Sequence, residues 1–373
     1  MEQERKLRVG LIYGGKSGEH EVSLSTAFAV MGAMDYGKYE ILPFYITKKG
    51  EWRVGTWRDR PFTNQEELML ESCGGGTVTA METLFAGMDS AKGSAEDGMN
   101  RHQIDVAFPL LHGTNGEDGT IQGLFEMADI PYVGAGVLAS SVGMDKAIMK
   151  HVFAHAGLPQ CKYEHFLRRE WDQNQAEILD RVQTELGYPC FVKPANLGSS
   201  VGISKARNAA ELKQAIELAL QYDRKIIVEE FVDAREVEVS VLGNDEPQAS
   251  IPGEIISSNE FYDYKAKYID GKSQIAIPAP LDKELLERIR EMALQAYRAI
   301  DGSGLSRVDF FVRRSDMAIL INEVNTMPGF TPISMYPILW QEMGTTYPAL
   351  LDRLIQLALE RFETKQKLQY ENL

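Results

Sequence analysis

Cysteine is scarce in this chain: three in 373 residues, at Cys73, Cys161 and Cys190. Their number and wide spacing exclude a disulfide framework, and no pair has metal-ligand spacing. Cys190 sits in the apolar run Pro189-Cys-Phe-Val192 and reads as a small buried hydrophobe. Positive charge is also short, with 39 Lys and Arg against 54 Asp and Glu and a net charge of −15. Such a surface does not favour nucleic acid or an anionic membrane, although a local basic site within it is compatible with a phosphate ligand. No apolar run reaches the roughly 18–20 residues needed to cross a bilayer. No signal-peptide pattern opens the chain, and no internal repeat is evident. These absences point to a reducing, cytoplasmic setting without nucleic-acid or membrane partners.

What is present is the composition of an ordinary globular protein, 44% hydrophobic and 25% charged. The length suggests two or three domains with a substantial core. Residues 7–13 read as a strand, followed by Gly14-Gly-Lys-Ser-Gly18, a helix over 22–34 and a strand over 40–47, the opening of an α/β unit. Residues 52–100 are irregular and read as an insertion with mobile loops. Residues 104–111 read as an apolar strand, central in a parallel sheet, ending in the polar loop His112-Gly-Thr-Asn-Gly-Glu-Asp-Gly119. Open α/β sheets bind ligands at such strand ends. Residues 131–136 mark a transition. Helices are then predicted over 145–157, 177–186, 209–222 and 282–300, and strands over 189–194, 226–232 and 236–242. The 257–273 segment is a long irregular loop, of the kind that is functional or disordered. A Pro-rich loop over 327–337 and a C-terminal helix close the chain.

Chemistry concentrates late. Ser306-Arg-Val-Asp-Phe-Phe-Val312 and Met317-Ala-Ile-Leu-Ile-Asn-Glu-Val-Asn325 are strand-like and flank the turn Arg313-Arg-Ser-Asp316, so they predict an antiparallel hairpin. Residues of equal parity share a face. With the turn centred near Ser315, Arg307 falls opposite Glu323 and Asp309 diagonal to it, with Asn325 on the same patch. Two carboxylates and an amide oxygen suit a hard cation that shares ligands with phosphates. A salt-bridged surface hairpin has the same pattern. Upstream, Lys193-Pro-Ala-Asn-Leu-Gly-Ser-Ser-Val-Gly202 follows an apolar strand, and its small residues allow close approach to phosphate. An ordinary loop with an exposed lysine is the alternative. Glu229 and Glu230 in Ile226-Ile-Val-Glu-Glu-Phe-Val232 offer a carboxylate to a ribose, or a solvent-facing edge. Phe261-Tyr-Asp-Tyr-Lys-Ala-Lys-Tyr268 has the composition of a lid or of a solvated loop. Gly10-Leu-Ile-Tyr-Gly-Gly-Lys-Ser17 matches the P-loop pattern, but Leu11, Ile12 and Tyr13 belong to the strand itself, where a P-loop needs its curling amides.

Taken together the chain resembles the D-alanine–D-alanine ligases of the ATP-grasp superfamily. The resemblance runs from Val9 to about Gly344 and is carried by seven motifs in family order: Gly14-Gly-Lys-Ser-Gly-Glu-His-Glu-Val-Ser23, Leu111 to Gly119, Met144-Asp-Lys146, Lys193 to Gly202, Phe261 to Tyr268, Arg307-Val-Asp309, and Asn322-Glu-Val-Asn-Thr-Met-Pro-Gly-Phe-Thr331. It implies an α/β ATP-grasp fold of three domains. These are a Rossmann-like N-terminal domain over 1–136 with the 52–100 insertion, a small central α+β domain over 137–230, and a C-terminal α+β domain over 231–373. ATP lies between the last two. It implies that ATP drives the joining of two D-alanines through a D-alanyl phosphate, for peptidoglycan precursors, by a homodimer.

The resemblance also assigns residues. Asp309, Glu323 and Asn325 hold two Mg2+ ions, or Mn2+. Lys146 and Lys193 contact ATP phosphates, and Lys267 reaches the γ-phosphate from the lid. Ser199, Ser200 and neighbouring amides cover the transferring group. Glu229, Glu230, Phe231 and Val232 form the adenine strand, and Glu236 binds ribose. Arg307 and the Gly329 amide form the oxyanion hole. Glu19 accepts the first D-alanine's ammonium, with His112 beside it, and Ser334 receives the second D-alanine's carboxylate. Glu19, Ser199 and Tyr268 form a closure latch that excludes water. Tyr268 favours an amine over a hydroxyl as second nucleophile. A D-alanine–D-lactate ligase or another ATP-grasp dipeptide ligase is the nearest alternative. A nucleotide-binding regulatory module has no use for an oxyanion arginine, and the first turn lacks the dinucleotide-binding glycine pattern of a Rossmann dehydrogenase.

Overall fold

The computed structural model describes residues 5–71, 76–85, 104–256 and 274–369. Among the described residues there are three sheets. The first contains β1 (Leu7–Gly14), β2 (Tyr39–Ile46), β3 (Trp52–Val54) and β4 (Val106–Pro109), in the order β3-β2-β1-β4. β1 runs parallel to both β2 and β4, and β3 is antiparallel to β2. Eight β1 residues with six consecutive buried positions read as a continuous apolar run, because both faces are covered. On one face pack α1 (His20–Ala33) and a C-terminal helix described below. On the other pack α2 (Gly76–Phe85) and α3 (Thr120–Met127). β4 is shorter than predicted and is not central. Among the described residues it ends the ladder, with an isolated bridge from Ala107 to Tyr132 beyond it. Its burial comes from helices above and below, which a hydrophobic pattern cannot tell from strands at either edge.

α4 (Val137–Met144) and α5 (Lys146–His155) lead to the second sheet. Asp145 separates them. Its carboxylate accepts from the amides of Ala147 and Ile148 at 3.2 Å and caps α5, which sets Lys146 at the first helical position. The sheet is antiparallel, with β5 (Tyr163–Leu167), β6 (Cys190–Pro194), β7 (Ser204–Ala206) and β8 (Lys225–Glu230) ordered β5-β8-β6-β7. α6 (Arg168–Glu185, kinked at Asn174) and α7 (Ala209–Ala219) cover one face through Cys190, Val192, Ile226 and Val228. By strand alternation Phe191, Lys193, Ile227 and Glu229 point the other way.

The third sheet holds β9 (Ala234–Leu242), β10 (Gln248–Ala249), β11 (Gly253–Ile256), β12 (Gln274–Ala276), β13 (Leu305–Arg313) and β14 (Ile319–Asn325). They are ordered β12-β11-β9-β13-β14, with β10 on β9. α8 (Lys283–Ala299) lays Ile289, Met292, Ala293 and Ala296 on it. Each fully buried Ile or Met of this stripe contributes about 1.5–3 kcal/mol. Met149 and Phe153 of α5 join this core, not that of the second sheet. α9 (Met335–Glu342) begins inside the predicted Pro-rich loop. α10 (Tyr347–Gln366) returns to the first sheet, where Leu350, Leu351, Leu354 and Ile355 pack with Val9 and Leu11. Among the described residues no helix is long and apolar enough to cross a membrane.

Candidate active site

The β13–β14 hairpin forms, with a register different from the one predicted. Arg307 lies opposite Asn325 and Asp309 opposite Glu323, and a bulge between Asp309 and Phe310 leaves Asn322 out of the ladder. Val308, Phe310 and Val312 face the core. Arg307, Asp309, Glu323 and Asn325 therefore share the opposite, half-buried face. β9 adds Glu236 and Glu238 to it, since Glu238 pairs with Asp309 and Glu236 with Phe311. Arg307 is the hub. Its Nε and Nη2 donate to the two Asp309 oxygens at 2.7 Å each, and Nε lies 3.0 Å from Glu238. Burial disfavours the guanidinium's charge, but Asp309 and Glu238 overcome this and hold its pKa well above the usual value. Asn325 donates to Asp309 at 3.0 Å. Among the described residues no group of three His, Cys, Asp or Glu could hold a metal. The Asn325 amide adds an oxygen donor beside the Asp309 and Glu323 carboxylates. Two directly opposed carboxylates and an amide on one face fit a hard divalent ion.

Lys146 joins this face to the loop from Lys193 to Gly202. Its Nζ donates to the Leu197 carbonyl at 2.7 Å and lies 3.8 Å from Glu323. In that loop Ser199 and Ser200 both take left-handed backbone, with φ of +48° and +59°. Such strain costs about 1–3 kcal/mol per residue and persists only where surroundings enforce it. One enforcing contact is visible, since Ser199 donates to Glu19. Glu19 stands at the N-cap of α1, yet its carboxylate makes no cap bond and is 9% exposed. Gly113 and Gly198 crowd it, and a Cβ on either would come within 2.5 or 2.7 Å of Oε2. His112 is buried nearby, with Nδ1 3.2 Å from Glu117 and Nε2 3.1 Å from Thr26. Burial alone would lower its pKa, but the Glu117 carboxylate raises it overall. Burial and then Glu19 push Glu117 upward in turn.

On the strand that the resemblance assigns to adenine, both glutamates are engaged within the protein. Glu229 is 3% exposed and lies between Lys150 and Lys193, so its carboxylate is not offered to a ribose. Glu230 accepts from the Lys162 amide at 2.8 Å. Phe231 is exposed, under the Lys205 ammonium at 4.4 Å. A hollow of about 180 Å³ opens at this strand's end, lined by Glu230, Phe231, Val232, Asp233, Arg313 and Ser315. A larger one of about 480 Å³ lies between α3, α4 and α10 and contains none of the predicted site residues. The convergence of charged groups marks the site better than hollow size does. Gly329 approaches Ser334 so closely that a Cβ would sit 3.1 Å from its hydroxyl, which is bonded to Thr331. Lys267 and Tyr268 lie outside the described residues. The two ends of their segment meet where Ile256 pairs with Gln274.

Three residues of this constellation escaped the sequence reading. Glu117 lies in the loop from His112 to Gly119, Lys150 follows Lys146 by four residues on one helix face, and Glu238 follows Glu236 by two on one strand face. Each spacing was a usable signal.

The chain is similar over nearly its whole length to known proteins. The sequence profile of the D-ala D-ala ligase N-terminus matches residues 8–135 and that of the C-terminus residues 152–356. A D-alanine–D-alanine ligase from Bacillus licheniformis is 56% identical over 367 residues, 98% of this chain and 99% of its own length. Among solved structures, the D-alanine–D-alanine ligase from Coxiella burnetii matches with a TM-score of 0.77 at 32% identity, covering 97% of this chain and 96% of its own. The VanG D-Ala:D-Ser ligase from Enterococcus faecalis matches with a TM-score of 0.77 at 37% identity, covering 95% of this chain and all of its own.

Proposed function

The chain belongs to the D-alanine–D-alanine ligase family, an ATP-grasp family, and from that premise we propose how its own residues join two D-alanines at the expense of ATP. Glu19 receives the first D-alanine's ammonium, and the substrate's carboxylate attacks the γ-phosphate of ATP, releasing ADP and leaving a D-alanyl phosphate. Lys146 and Lys193 bind the phosphates, with Lys267 from the lid. Residues Glu229 to Val232 line the adenine side, and Glu236 takes the ribose. Ser199 and Ser200 cover the transferring group, and Ser199 closes onto Glu19 to exclude water. The second D-alanine, held by its carboxylate at Ser334, attacks the acyl carbon through its amine. The oxyanion that develops is met by Arg307 and the Gly329 amide, and inorganic phosphate leaves. Asp309, Glu323 and Asn325 would hold Mg2+, or Mn2+ in its place, which neutralises phosphate charge during transfer.

The observation that carries this reading is the single polar face on which Arg307, Asp309, Glu323 and Asn325 meet, tied by Lys146 to the phosphate loop. The division into three domains at 136 and 230 is part of this reading, with α5 packed on the third sheet and α10 on the first. A homodimer in the cytoplasm, serving the cell wall, follows from the family. The test is ADP release with D-alanine, L-alanine, D-serine and D-lactate in parallel, with and without Mg2+. D-alanine-dependent, Mg2+-dependent release is expected. Release equal with D- and L-alanine, or preferring D-serine or D-lactate as second substrate, overturns the assignment.

Gly113→Ala offers a geometric check. Its φ is +70°, and the added Cβ would meet Glu19 Oε2 at 2.5 Å and Ser17 Oγ at 2.8 Å. The Glu19 carboxylate must shift from its place beside Ser199. The KM for the first D-alanine is expected to rise about tenfold, with the KM for ATP little changed. Equal shifts in both would remove Glu19 from the amino-acid side.

A further inference from the structure

Lys150 carries no role in the chemistry above, yet it is fully buried on α5. Its ammonium lies 3.0 Å from Oε1 of Glu229, and the other Glu229 oxygen lies 2.5 Å from the ammonium of Lys193. It also contacts the Cys161 sulfur at 3.5 Å and lies 5.5 Å from the centre of the Tyr163 ring. Two cations thus share one carboxylate where almost no water reaches. Glu229 and Lys193 alone would make a neutral pair. The extra charge is costly to bury, so it calls for a reason. Exposure distinguishes the lysines, because the Lys150 side chain is 1% exposed and that of Lys193 11%. Only Lys193 borders the open face.

We propose that Lys150 is a positioning residue that keeps Glu229 neutralised, so that Lys193 can turn its charge to a nucleotide phosphate. With a simple pair, drawing Lys193 away would strand a buried carboxylate, and that penalty would be subtracted from nucleotide binding. With Lys150 in place, Glu229 retains a partner, and the surplus positive charge is cancelled by the incoming phosphate. The burial of Lys150 keeps it from touching the ligand. The cluster is strongly coupled, as the fall of the Glu229 pKa to about 2 also indicates. Burial opposes that fall, and Lys150 and then Lys193 outweigh it.

The inference rests on the proposed contact between Lys193 and the ATP phosphates. The test is steady-state KM for ATP and for D-alanine in Lys150→Met, Lys193→Met, Glu229→Gln and the double variant Lys150→Met/Glu229→Gln. Lys150→Met is expected to raise the KM for ATP about tenfold while leaving that for D-alanine within about twofold. In the Glu229→Gln background, where no buried anion remains, the same change is expected to move the KM for ATP less than about threefold. A residue that merely supports the fold would lower the melting temperature equally in both backgrounds and leave the ratio of the two KM values alone, which overturns the inference. So does an equal loss of ATP affinity in both backgrounds. If Lys193→Met leaves the KM for ATP unchanged, the phosphate contact itself is wrong. If Lys193→Met raises it and Lys150→Met does not, only the role of Lys150 falls. Should Lys150→Met fail to fold, the comparison of the double variant with Glu229→Gln decides, and a difference above about threefold overturns the inference.

Discussion

Glu323→Gln is expected to lower kcat by about three orders of magnitude, roughly 4 kcal/mol of transition-state stabilisation, with the fold intact. The substitution keeps shape and hydrogen-bonding capacity and removes one negative charge. Glu323 faces Asp309 across the hairpin on the side away from the core, so no packed side chain is disturbed. Lys146 at 3.8 Å and Arg307 both feel its charge. Losing it leaves those cations somewhat less compensated, at a small cost to stability on a half-exposed face. The effect on turnover is larger because the carboxylate is assigned to hold a divalent ion against phosphate, and an amide oxygen is a weaker ligand for a hard cation. Turnover at saturating Mg2+ and the thermal midpoint should be measured together. A near-normal kcat would remove the metal assignment, and an unchanged midpoint with kcat lost would localise the defect to chemistry.

The hairpin also shows what the sequence could disclose. The patch of Arg307, Asp309, Glu323 and Asn325 was readable from strand alternation alone. Its register was not, because the turn pairs Val312 with Ile319 and the bulge then skips Asn322. These two one-residue offsets add to an even slip, and an even slip leaves every side chain on its face. The prediction of which residues meet therefore survived an error in which are opposite. Bulges have no reliable local signature, and Leu320 and Ile321 beside this one are both buried.

Glu229 teaches the complementary point. Its presence in an apolar strand was visible, but its partner Lys150 comes from a helix 79 positions earlier, packed beneath the sheet by the tertiary fold. A carboxylate among apolar residues could have faced solvent, ribose or a buried cation, and nothing local chose among them. The same holds for β4, whose apolar run fitted a central strand as well as the helix-covered sheet end that it is. Periodicity reports that a face is buried without saying what buries it. Motif order did better. The loops bearing Glu19, Lys146 and Ser199 were each short, polar and placed at strand or helix ends, and the fold brings all three together.

Arg307→Ala is expected to lower kcat by about 10²–10³-fold, or roughly 2.7–4 kcal/mol, if its guanidinium meets the oxyanion of the second step. A competing effect must be separated from this one. Arg307 neutralises both Asp309 and Glu238, and Glu238 is only 6% exposed. Removing one partner of a buried pair destabilises by about 3–5 kcal/mol, because a desolvated charge is left behind. Arg307→Ala therefore threatens the fold as well as the chemistry, and activity loss alone would not distinguish them. Arg307→Lys keeps the charge while losing the fork that binds both Asp309 oxygens, so it should recover most of the stability and only part of the rate. Single-turnover measurement supplies the second distinction. The oxyanion forms when the amine attacks, after ADP has been made, so Arg307→Lys should slow dipeptide formation more than the first burst of ADP. Equal slowing of both steps would place Arg307 in phosphoryl transfer instead. A loss below about tenfold in kcat/KM, roughly 1.4 kcal/mol, in protein that remains folded would remove it from the oxyanion site altogether.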